Sequence, residues 1–326
     1  MCLDCLQQCR GLRHGSPEEE ITILFKELTI DDKAIVDPYF KINYHENSHL
    51  NFTNLFMWRK PYHIMYCVDD GMLLFKAKYG EKEFALQPIC PKDKVFEAVD
   101  KLRAYFAENN IPFFMYGLEE HIAELLKDYP NGEFEFTTDR GEYDYVYNAS
   151  DLIKLSGRRF HSKKNHLNSF RKNYPNAQYE SITADKEDLI TLCKITINGW
   201  YKKRLAQTPD DPFIGTERNA IIEVLNNFDK LKLKGGAIIS VNKVMAFTFG
   251  EQLNTDTAVI HVEKADPDVN GAYTAINQAF VADAWSDMTY INREEDMGIE
   301  GLRKAKESYR PVKMVKKFNA KIKAQA

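Results

Sequence analysis

The sequence of 326 residues lacks any long apolar stretch. No run approaches the roughly 18 consecutive apolar residues that a membrane-spanning helix needs. The beginning of the chain also lacks the apolar core of a secretory signal. We therefore expect a cytoplasmic protein whose only contact with a membrane would be peripheral. The hydrophobic fraction of 44% is still ample for globular cores, and the length suggests two domains.

Motifs of several enzyme classes are also missing. The chain shows no Ser-His-Asp order, no phosphate-binding P-loop and no motif around a cysteine nucleophile. Three of the six cysteines stand singly in apolar or mixed surroundings, as is typical of reduced core residues: Cys67, Cys90 and Cys193. Because these motifs are missing, the sequence does not favour a hydrolase or a nucleotide-hydrolysing enzyme.

The remaining cysteines lie in the first residues of the chain. Cys2, Cys5 and Cys9, followed by His14, have the loose spacing of metal ligands. We interpret residues 1–19 as a disordered leader instead, and no ligand spacing outside it predicts a catalytic metal. The sequence therefore predicts neither a bound metal nor a resident cofactor.

The net charge of −4 is unevenly distributed. Residues 158–172 carry six Lys/Arg and no acid, and residues 302–326 carry nine Lys/Arg against one acid. The rest of the chain therefore sums to −18. Two basic segments beside an acidic body favour a polyanionic partner, although a solvated basic helix would give the same pattern.

Strand and helix patterns occur twice along the chain. The first half contains YHIMYCV, GMLLFKAKY and KEFALQPI, and the second contains LKGGAIISV, KVMAFTFGE and DTAVIHVEK; each set predicts a three-stranded antiparallel meander. Each meander is preceded by helices and followed by a helix, a strand, a helix and a closing strand or hairpin. This order predicts an α+β fold of two similar halves, residues 20–150 and 151–326, with mixed, mostly antiparallel sheets and flanking helices.

Three segments carry a family resemblance: GRRFHSKKNHLNSF, HVEKADPDVNGAYTAINQAF and INREEDMGIEGLRKAKESYRPVK. Together they resemble the DUF2156 group, which is related to the C-terminal domain of phosphatidylglycerol lysyltransferase. The resemblance extends from about Glu20 to the end of the chain, and it implies a tandem GNAT-like acyltransferase fold. It also implies an aminoacyl transferase that takes an amino acid from aminoacyl-tRNA. The acceptor would be an amine or hydroxyl group, such as that of the anionic lipid phosphatidylglycerol.

The turn before the helix GAYTAINQAF bears on coenzyme A. GNAT enzymes that use acyl-CoA place a Gln/Arg-x-x-Gly-x-Gly/Ala loop here to hold the pyrophosphate. With Gly271 as the first glycine, Asp268 replaces the basic residue and Tyr273 replaces the last small one. A carboxylate repels phosphate, and a tyrosine prevents the close approach that glycine allows. Only Asn270, Gly271 and Ala272 keep the character of the turn, so the sequence disfavours coenzyme A.

Acidic residues gather around the same turn and after the next strand. We expect them to line one pocket that receives a cationic group of the donor. The residues expected to line it are Glu263, Asp266, Glu294, Asp296 and Glu300, and Asp268 and Glu295 lie beside them in the sequence. The alternative is that they form structural ion pairs with Lys264, Arg293, Arg303 and Lys304.

Catalytic groups are predicted on the strand that ends in HVEK. His261 and Glu263 are two residues apart, so they are expected to face the same side of the sheet, and either could act as the base. Lys264, Asn292 or the backbone amides near Gly271 are candidates for stabilising an oxyanion. A lone histidine on a strand is, however, more often a hydrogen-bonded core residue.

The segment GRRFHSKKNHLNSFRKNY is predicted to be a helix with an apolar stripe of Phe160, Leu167, Phe170 and Tyr174. Its polar residues are candidates for binding the phosphates of tRNA or of an anionic lipid. These are Arg158, Arg159, His161, Lys163, Lys164 and Asn165. The alternative is a solvated connector between the two halves.

Two other functions stay open at this point. One is an acyl-CoA-dependent N-acyltransferase, which coenzyme A binding would reveal. The other is a non-catalytic binding module on a degenerate acyltransferase fold. The sequence favours aminoacyl transfer over both.

Overall fold

The computed structural model describes residues 23–208, 212–241 and 243–323. The predicted leader, with Cys2, Cys5 and Cys9, lies outside the described residues.

Fourteen strands are described: β1 Lys26–Glu27, β2 Met65–Asp69, β3 Met72–Tyr79, β4 Lys82–Leu86, β5 Phe114–Leu118, β6 Phe134–Thr138, β7 Asp144–Asn148, β8 Gln178–Ile182, β9 Lys234–Ser240, β10 Lys243–Gln252, β11 Thr257–Ala265, β12 Tyr290–Asn292, β13 Lys313–Val315 and β14 Phe318–Ile322. The α-helices of the same residues are α1 Lys33–Val36, α2 Phe52–Trp58, α3 Val95–Glu108, α4 Glu120–Leu125, α5 Ala149–Lys154, α6 His161–Asn173, α7 Glu187–Gln207, α8 Pro212–Asn226, α9 Phe228–Leu231, α10 Ala272–Ala284 and α11 Glu300–Glu307. Short 3₁₀ turns occur at Ile30–Asp32, Tyr39–Lys41, Lys92–Lys94, Leu126–Asp128, Arg140–Glu142 and Arg158–Phe160.

The strands form two seven-stranded sheets with matching topology. The first has the order β1-β2-β3-β4-β5-β14-β6 and the second β13-β7-β12-β11-β10-β9-β8. In both, an antiparallel meander is followed by a parallel neighbour: β4 pairs with β5, and β11 with β12. Both predicted meanders are confirmed, and so is the predicted α+β, tandem GNAT-like fold.

The two sheets exchange one strand each. β7, from the first half of the chain, lies between β12 and β13 of the second sheet. In return, β14 lies between β5 and β6 of the first sheet. The division of the chain at residue 150 stays a prediction, but the pairing within the sheets crosses it in both directions. The sequence patterns predict a closing strand or hairpin for each half and do not show this exchange.

The halves also share an apolar core. Phe52 and Phe56 of α2 belong to the same buried cluster as Ile221 and Val224 of α8 and Phe247 of β10. Helix α2 packs directly on α8. The shared core covers one face of the second sheet. Helix α2 lies on that face, close to polar residues of β11.

The opposite face of the second sheet is covered by α5, α6 and α10. Phe160, Leu167 and Phe170 of the predicted stripe are buried there with Ile276 and Phe280 of α10, and Tyr174 packs against them. The basic segment is thus a helix, as predicted, and it lies against α10. It is therefore not a connector that is exposed to solvent on all sides.

Candidate active site

The parallel strands β11 and β12 separate soon after they pair. Their register covers only Thr257 to Val259 opposite Tyr290 to Asn292. Beyond this point β11 continues along β10 as far as Ala265, whereas the chain after β12 follows β7 through backbone hydrogen bonds between Tyr145 and residues 293 and 294. A gap therefore opens between the two strands. The residues around it are the site candidates.

A β-bulge in β11 changes which residues share a face. Phe249 pairs with Val262 and Gly250 pairs with Ile260, which leaves His261 as the extra residue. Ile260 consequently packs in the core under α10, and Val262 packs in the core shared with α7 and α8. The expectation that His261 and Glu263 face the same side is therefore wrong.

His261 lies on the α2 side of the gap, between two carboxylates. Its Nδ1 is 3.0 Å from Glu294 Oε1 and its Nε2 is 3.0 Å from Glu251 Oε1. Burial alone would lower its pKa, but the hydrogen bonds and charges of these two partners raise the pKa to about 9. Asn54 of α2 contacts Glu294 at 3.4 Å. An imidazole that is protonated at neutral pH is a poor base, so this arrangement does not favour the proposed role of His261 as the base.

Glu263 lies on the α10 side of the same gap. Its Oε1 accepts a hydrogen bond from Arg293 Nη2 at 2.8 Å, and its Oε2 accepts one from Asn277 Nδ2 at 2.9 Å. Two polar atoms beside it are buried without a hydrogen-bond partner among the described residues: Arg293 Nη1 and Asn277 Oδ1. Both carboxylate oxygens of Glu263 are thus occupied, while its two partners each have one unused group.

Lys163 of α6 completes this cluster. Its Nζ lies 4.1 Å from the centre of the Tyr309 ring, and the guanidinium of Arg293 lies 4.6 Å from the same ring. Burial, and then the charge of Arg293, lower the pKa of Lys163 to about 8, although Glu263 acts in the opposite direction. The group formed by Glu263, Asn277, Arg293, Lys163 and Tyr309 is called the Glu263 cluster below. It carries two cations and one anion.

The other acidic residues do not form one pocket with Glu263, contrary to the expectation from the sequence. Each has its own cation: Asp266 binds Lys243 at 2.8 Å, Asp268 binds Lys203 at 2.5 Å, Glu294 binds His261 at 3.0 Å, Glu295 binds Lys317 at 3.1 Å, Asp296 binds Arg303 at 2.8 Å and Glu300 binds Lys304 at 2.6 Å. Glu300 and its lysine are exposed, whereas Asp296 is fully buried. Burial would raise the pKa of Asp296, but hydrogen bonds from Arg303, Tyr145 and the amide of Gly298 lower it to about 2. The alternative of structural ion pairs thus describes these residues better.

The two residues expected to stabilise an oxyanion have other partners. Lys264 Nζ donates to Glu217 of α8 at 2.6 Å. Asn292 is fully buried, and its Nδ2 donates to Asp144 and to the carbonyl of Glu46, both at 3.0 Å. Neither side chain is directed to a free position in the gap. We therefore do not retain an oxyanion role for them.

The turn at the start of α10 is covered by α6. Gly271 has φ = +84°, and a Cβ built there would lie 2.4 Å from the His166 carbonyl oxygen and 3.0 Å from Phe170 Cβ. Ala272 is buried, whereas Asn270 and Tyr273 are exposed. The backbone of the basic helix thus packs closely against the Cα of Gly271. The weak binding of coenzyme A expected from Asp268 and Tyr273 stays a prediction.

The basic helix divides its charged residues between two roles. Arg159 pairs with Asp151 at 2.7 Å, and Lys163 points to the Glu263 cluster. Arg158 and Lys164 are exposed and have no acidic partner in the described part of the chain. His161 and Asn165 are exposed as well and contact each other at 3.4 Å. The outer face therefore offers fewer free cations than the sequence suggested.

One family of known proteins matches most of this chain. Residues 40–321 match the family described as phosphatidylglycerol lysyltransferase, C-terminal. The chain belongs to this family. The family description names the C-terminal part of a phosphatidylglycerol lysyltransferase, so the family is one of transferases.

Several solved structures are similar over nearly the whole chain. A conserved protein of unknown function from Bacteroides thetaiotaomicron is 37% identical, with a TM-score of 0.85 over 93% of this chain and 100% of that one. The C-terminal DUF2156 domain of a putative lysylphosphatidylglycerol synthetase from Agrobacterium fabrum is 12% identical, with a TM-score of 0.65 over 91% and 93% of the two chains. L-PGS from Bacillus licheniformis is 14% identical, with a TM-score of 0.64 over 90% and 93%. The last two show a shared fold.

One curated relative, an uncharacterised protein of Mycoplasmoides gallisepticum, is 24% identical over 180 residues. The match covers 55% of this chain and 56% of the relative, so the chain spans about half the length of the curated relative it matches.

Two residues near the site, Asn277 and Lys306, were not predicted from the sequence. Asn277 lies in the buried stripe of α10, and a polar residue within such an apolar stripe is the pattern that could have indicated it. Lys306 is buried and donates to the backbone carbonyls of Arg293 and Glu294. Burial, with Arg293 nearby, lowers its pKa to about 8. Lys306 thus holds the chain after β12 in place, which no sequence motif indicated.

Residues 23–208, 212–241 and 243–323 contain no group of three or more His, Cys, Asp or Glu side chains placed to hold a metal ion. None of their helices is both long and apolar enough to cross a bilayer.

Proposed function

We propose that this protein transfers an amino acid from aminoacyl-tRNA to an amine or hydroxyl acceptor. Membership of the phosphatidylglycerol lysyltransferase family supports a donor of this kind. The observation that carries the proposal is the gap between β11 and β12, which is bordered by the Glu263 cluster with Lys163 of the basic helix. The close packing of α6 against the turn at Gly271, where a Cβ would lie 2.4 Å from the His166 carbonyl oxygen, supports a donor other than acyl-CoA.

The reaction needs little covalent machinery, because the ester bond of aminoacyl-tRNA is already activated. The acceptor N–H or O–H attacks the ester carbonyl carbon, a new amide or ester bond forms, and the bond to the ribose oxygen breaks. The acceptor proton must leave, and the ribose oxygen must gain one. Lys163 is our candidate for carrying it, because a group whose pKa is about 8 exchanges protons readily near neutral pH.

The donor's phosphates need a separate surface. Arg158, in the 3₁₀ turn before α6, and Lys164, on α6, are both exposed, and α6 also carries Lys163 of the Glu263 cluster. A tRNA acceptor arm bound there would have its aminoacyl end close to the gap. We propose that these two residues contact tRNA and that phosphatidylglycerol is the first acceptor to test. Such a lipid would require a cytoplasmic protein that reaches the membrane surface peripherally.

The test is a transfer assay with tRNA charged with labelled amino acids and vesicles with or without phosphatidylglycerol. We expect label to move from tRNA to the lipid or to an added amine, and calorimetry to detect no micromolar binding of coenzyme A. Transfer of an acyl group from acyl-CoA would contradict the proposal and favour the N-acyltransferase. If charged tRNA binds but no label moves to the lipids or to any of a panel of amines, the result would favour the binding module.

A further inference from the structure

The Glu263 cluster contains two buried polar atoms that the protein leaves unsatisfied. Asn277 is 1% exposed, and its Oδ1 has no donor in the described part of the chain. Arg293 Nη1 is likewise buried and has no acceptor there. Both side chains are fixed, because each also holds one oxygen of Glu263. A buried polar atom without a partner costs about 1–3 kcal/mol, so a ligand that supplies both partners is favoured.

The two atoms, one acceptor and one donor, require ligand groups of opposite hydrogen-bonding character. Asn277 Oδ1 accepts a hydrogen bond, and Glu263 beside it adds a negative charge, so an ammonium group fits there. Arg293 Nη1 donates, and Lys163 adds a second cation on that side, so a carbonyl or carboxylate oxygen fits there. An amino acid carries an ammonium group and a carbonyl oxygen on adjacent carbons. The cluster is thus complementary to the part of an aminoacyl group that all amino acids share.

The donor's side chain meets a different situation. The acids that could select a lysyl ammonium already bind Lys243, Lys203, His261, Lys317, Arg303 and Lys304. A lysyl donor would have to displace one of these cations or share its acid, as the α-ammonium group shares Glu263. None of these six acids therefore offers an unpaired charge that selects lysine.

We propose that the Glu263 cluster is an α-amino-acyl subsite, which recognises the donor through its α-ammonium and carbonyl groups and does not select its side chain. This inference rests on the proposed function for the origin of the ligand. It predicts a transferase that accepts several amino acids, in contrast to the lysine of the family description.

The test uses small amino-acid amides, which carry the ammonium and carbonyl groups without tRNA. We expect glycinamide, alaninamide and lysinamide to bind the intact protein within about threefold of one another in an NMR or calorimetric titration. Removing one of the recognised groups from the ligand should weaken binding about ten- to a hundredfold, as expected for a charge-assisted hydrogen bond. N-acetyl-alaninamide lacks the ammonium group, and isopropylamine lacks the carbonyl group. These ligand changes leave the protein untouched.

A protein variant gives the matching result. Asn277→Leu removes the acceptor and should weaken all three amides equally. Gln278→Leu is the control, because Gln278 is the next residue on α10 and its Nε2 donates to the Ile153 carbonyl outside the cluster. Its affinities should equal those of the parent.

Three outcomes would overturn the inference: lysinamide binding at least tenfold tighter than alaninamide, N-acetyl-alaninamide binding as well as alaninamide, or no binding of any amide. The proposed function is judged separately. If amides bind as expected but no amino acid leaves charged tRNA, only the transfer reaction is contradicted. If transfer occurs from lysyl-tRNA alone, the reaction stands and the subsite inference is wrong.

Discussion

His261 and Glu263 lie two residues apart on β11, and their side chains lie on opposite faces of the second sheet. The extra residue of the bulge turns His261 towards α2, where it binds Glu251 and Glu294, and leaves Glu263 under α10 with Asn277. The gap between β11 and β12 is therefore bordered by two unlike groups. One side holds a protonated histidine between two acids, and the other holds an acid between an arginine and an amide.

The His261 ion pairs should make stability depend on pH. Its pKa is raised to about 9 in the folded protein, above the value of 6.5 expected when unfolded. The stabilisation is then fully present below pH 6.5 and is lost as the pH rises through about 9. The shift corresponds to a contribution on the order of 3 kcal/mol.

Urea unfolding of the parent and of His261→Gln between pH 6 and pH 10 measures this contribution. Lys163 and Lys306 titrate in the same range with the opposite sign, because their pKa values are lowered to about 8. The difference between parent and variant removes their effect. A difference that stays constant over this range would show that His261 is not held as the cation.

Gly271 should tolerate no side chain. We expect Gly271→Ala to lower the free energy of unfolding by at least about 2 kcal/mol, because φ is positive and the Cβ would overlap the His166 carbonyl. Gly301→Ala is the control: Gly301 lies in α11 with open space around it, so alanine should be neutral or stabilise by up to about 1 kcal/mol. Equal effects of the two changes in urea unfolding would mean that α6 does not pack against this turn.

The salt dependence of tRNA binding should identify the phosphate contacts. Arg158→Gln and Lys164→Gln are each expected to reduce the slope of log K against log salt concentration by about 0.7–0.9. Arg159→Gln should change the slope less, because its guanidinium already pairs with Asp151. Fluorescence anisotropy at several salt concentrations measures the three slopes. Unchanged slopes in both Arg158→Gln and Lys164→Gln would exclude this face of α6 from tRNA binding.

Lys163 should give the transfer reaction its pH dependence. If its neutral form takes the acceptor proton, the rate of transfer should rise with pH and level off above about 8, where its pKa lies. Lys163→Arg keeps the charge but stays protonated, so we expect at least a hundredfold slower transfer with no rise at this pH. Amide binding by this variant should change less. A Lys163→Arg protein with the parent's pH profile would assign the proton transfer to another group.

A change in the last strand should destabilise the first half. Ala320 of β14 is fully buried in the core that β5 and α3 also form. We expect Ala320→Asp to cost at least about 3 kcal/mol and to remove amide exchange protection from β5 and β6. Lys321→Gln is the control, because Lys321 is half-exposed and pairs with Glu135 on the surface. Loss of protection confined to the second sheet would contradict the strand exchange.

Periodicity and spacing accounted for much of this fold. The two meanders and the stripe of α6 follow from local patterns that repeat every two or every 3.6 residues. The exchange of β7 and β14 could not be inferred in this way. A closing strand or hairpin is predicted for each half, but the neighbours of a strand depend on contacts far away in the sequence.

The site was harder to predict for a related reason. The bulge at His261 has no glycine or proline on its own strand, and the glycine that lies opposite it, Gly250, is on β10, where the register shifts. The acids at positions 263, 266, 294, 296 and 300 looked like one cluster because they are close in sequence, whereas their cations come from four different places: β10, β11, the chain after β12, and α11. Which acid is free depends on those partners, and only the folded chain shows them.

The exchanged strands also set an order of events during synthesis. Leu118 of β5 pairs with Phe318 of β14, about 200 residues later. At a translation rate of about 5–20 residues per second, β5 waits roughly 10–40 s for its neighbour. Throughout that time β5 and β6 expose unpaired backbone edges, which are open to pairing with other chains. Strand β7 waits as well, because its neighbours β12 and β13 are made about 140 and 170 residues later. The newly made first half thus carries three strands with unpaired edges, and we expect chaperones to associate at this stage.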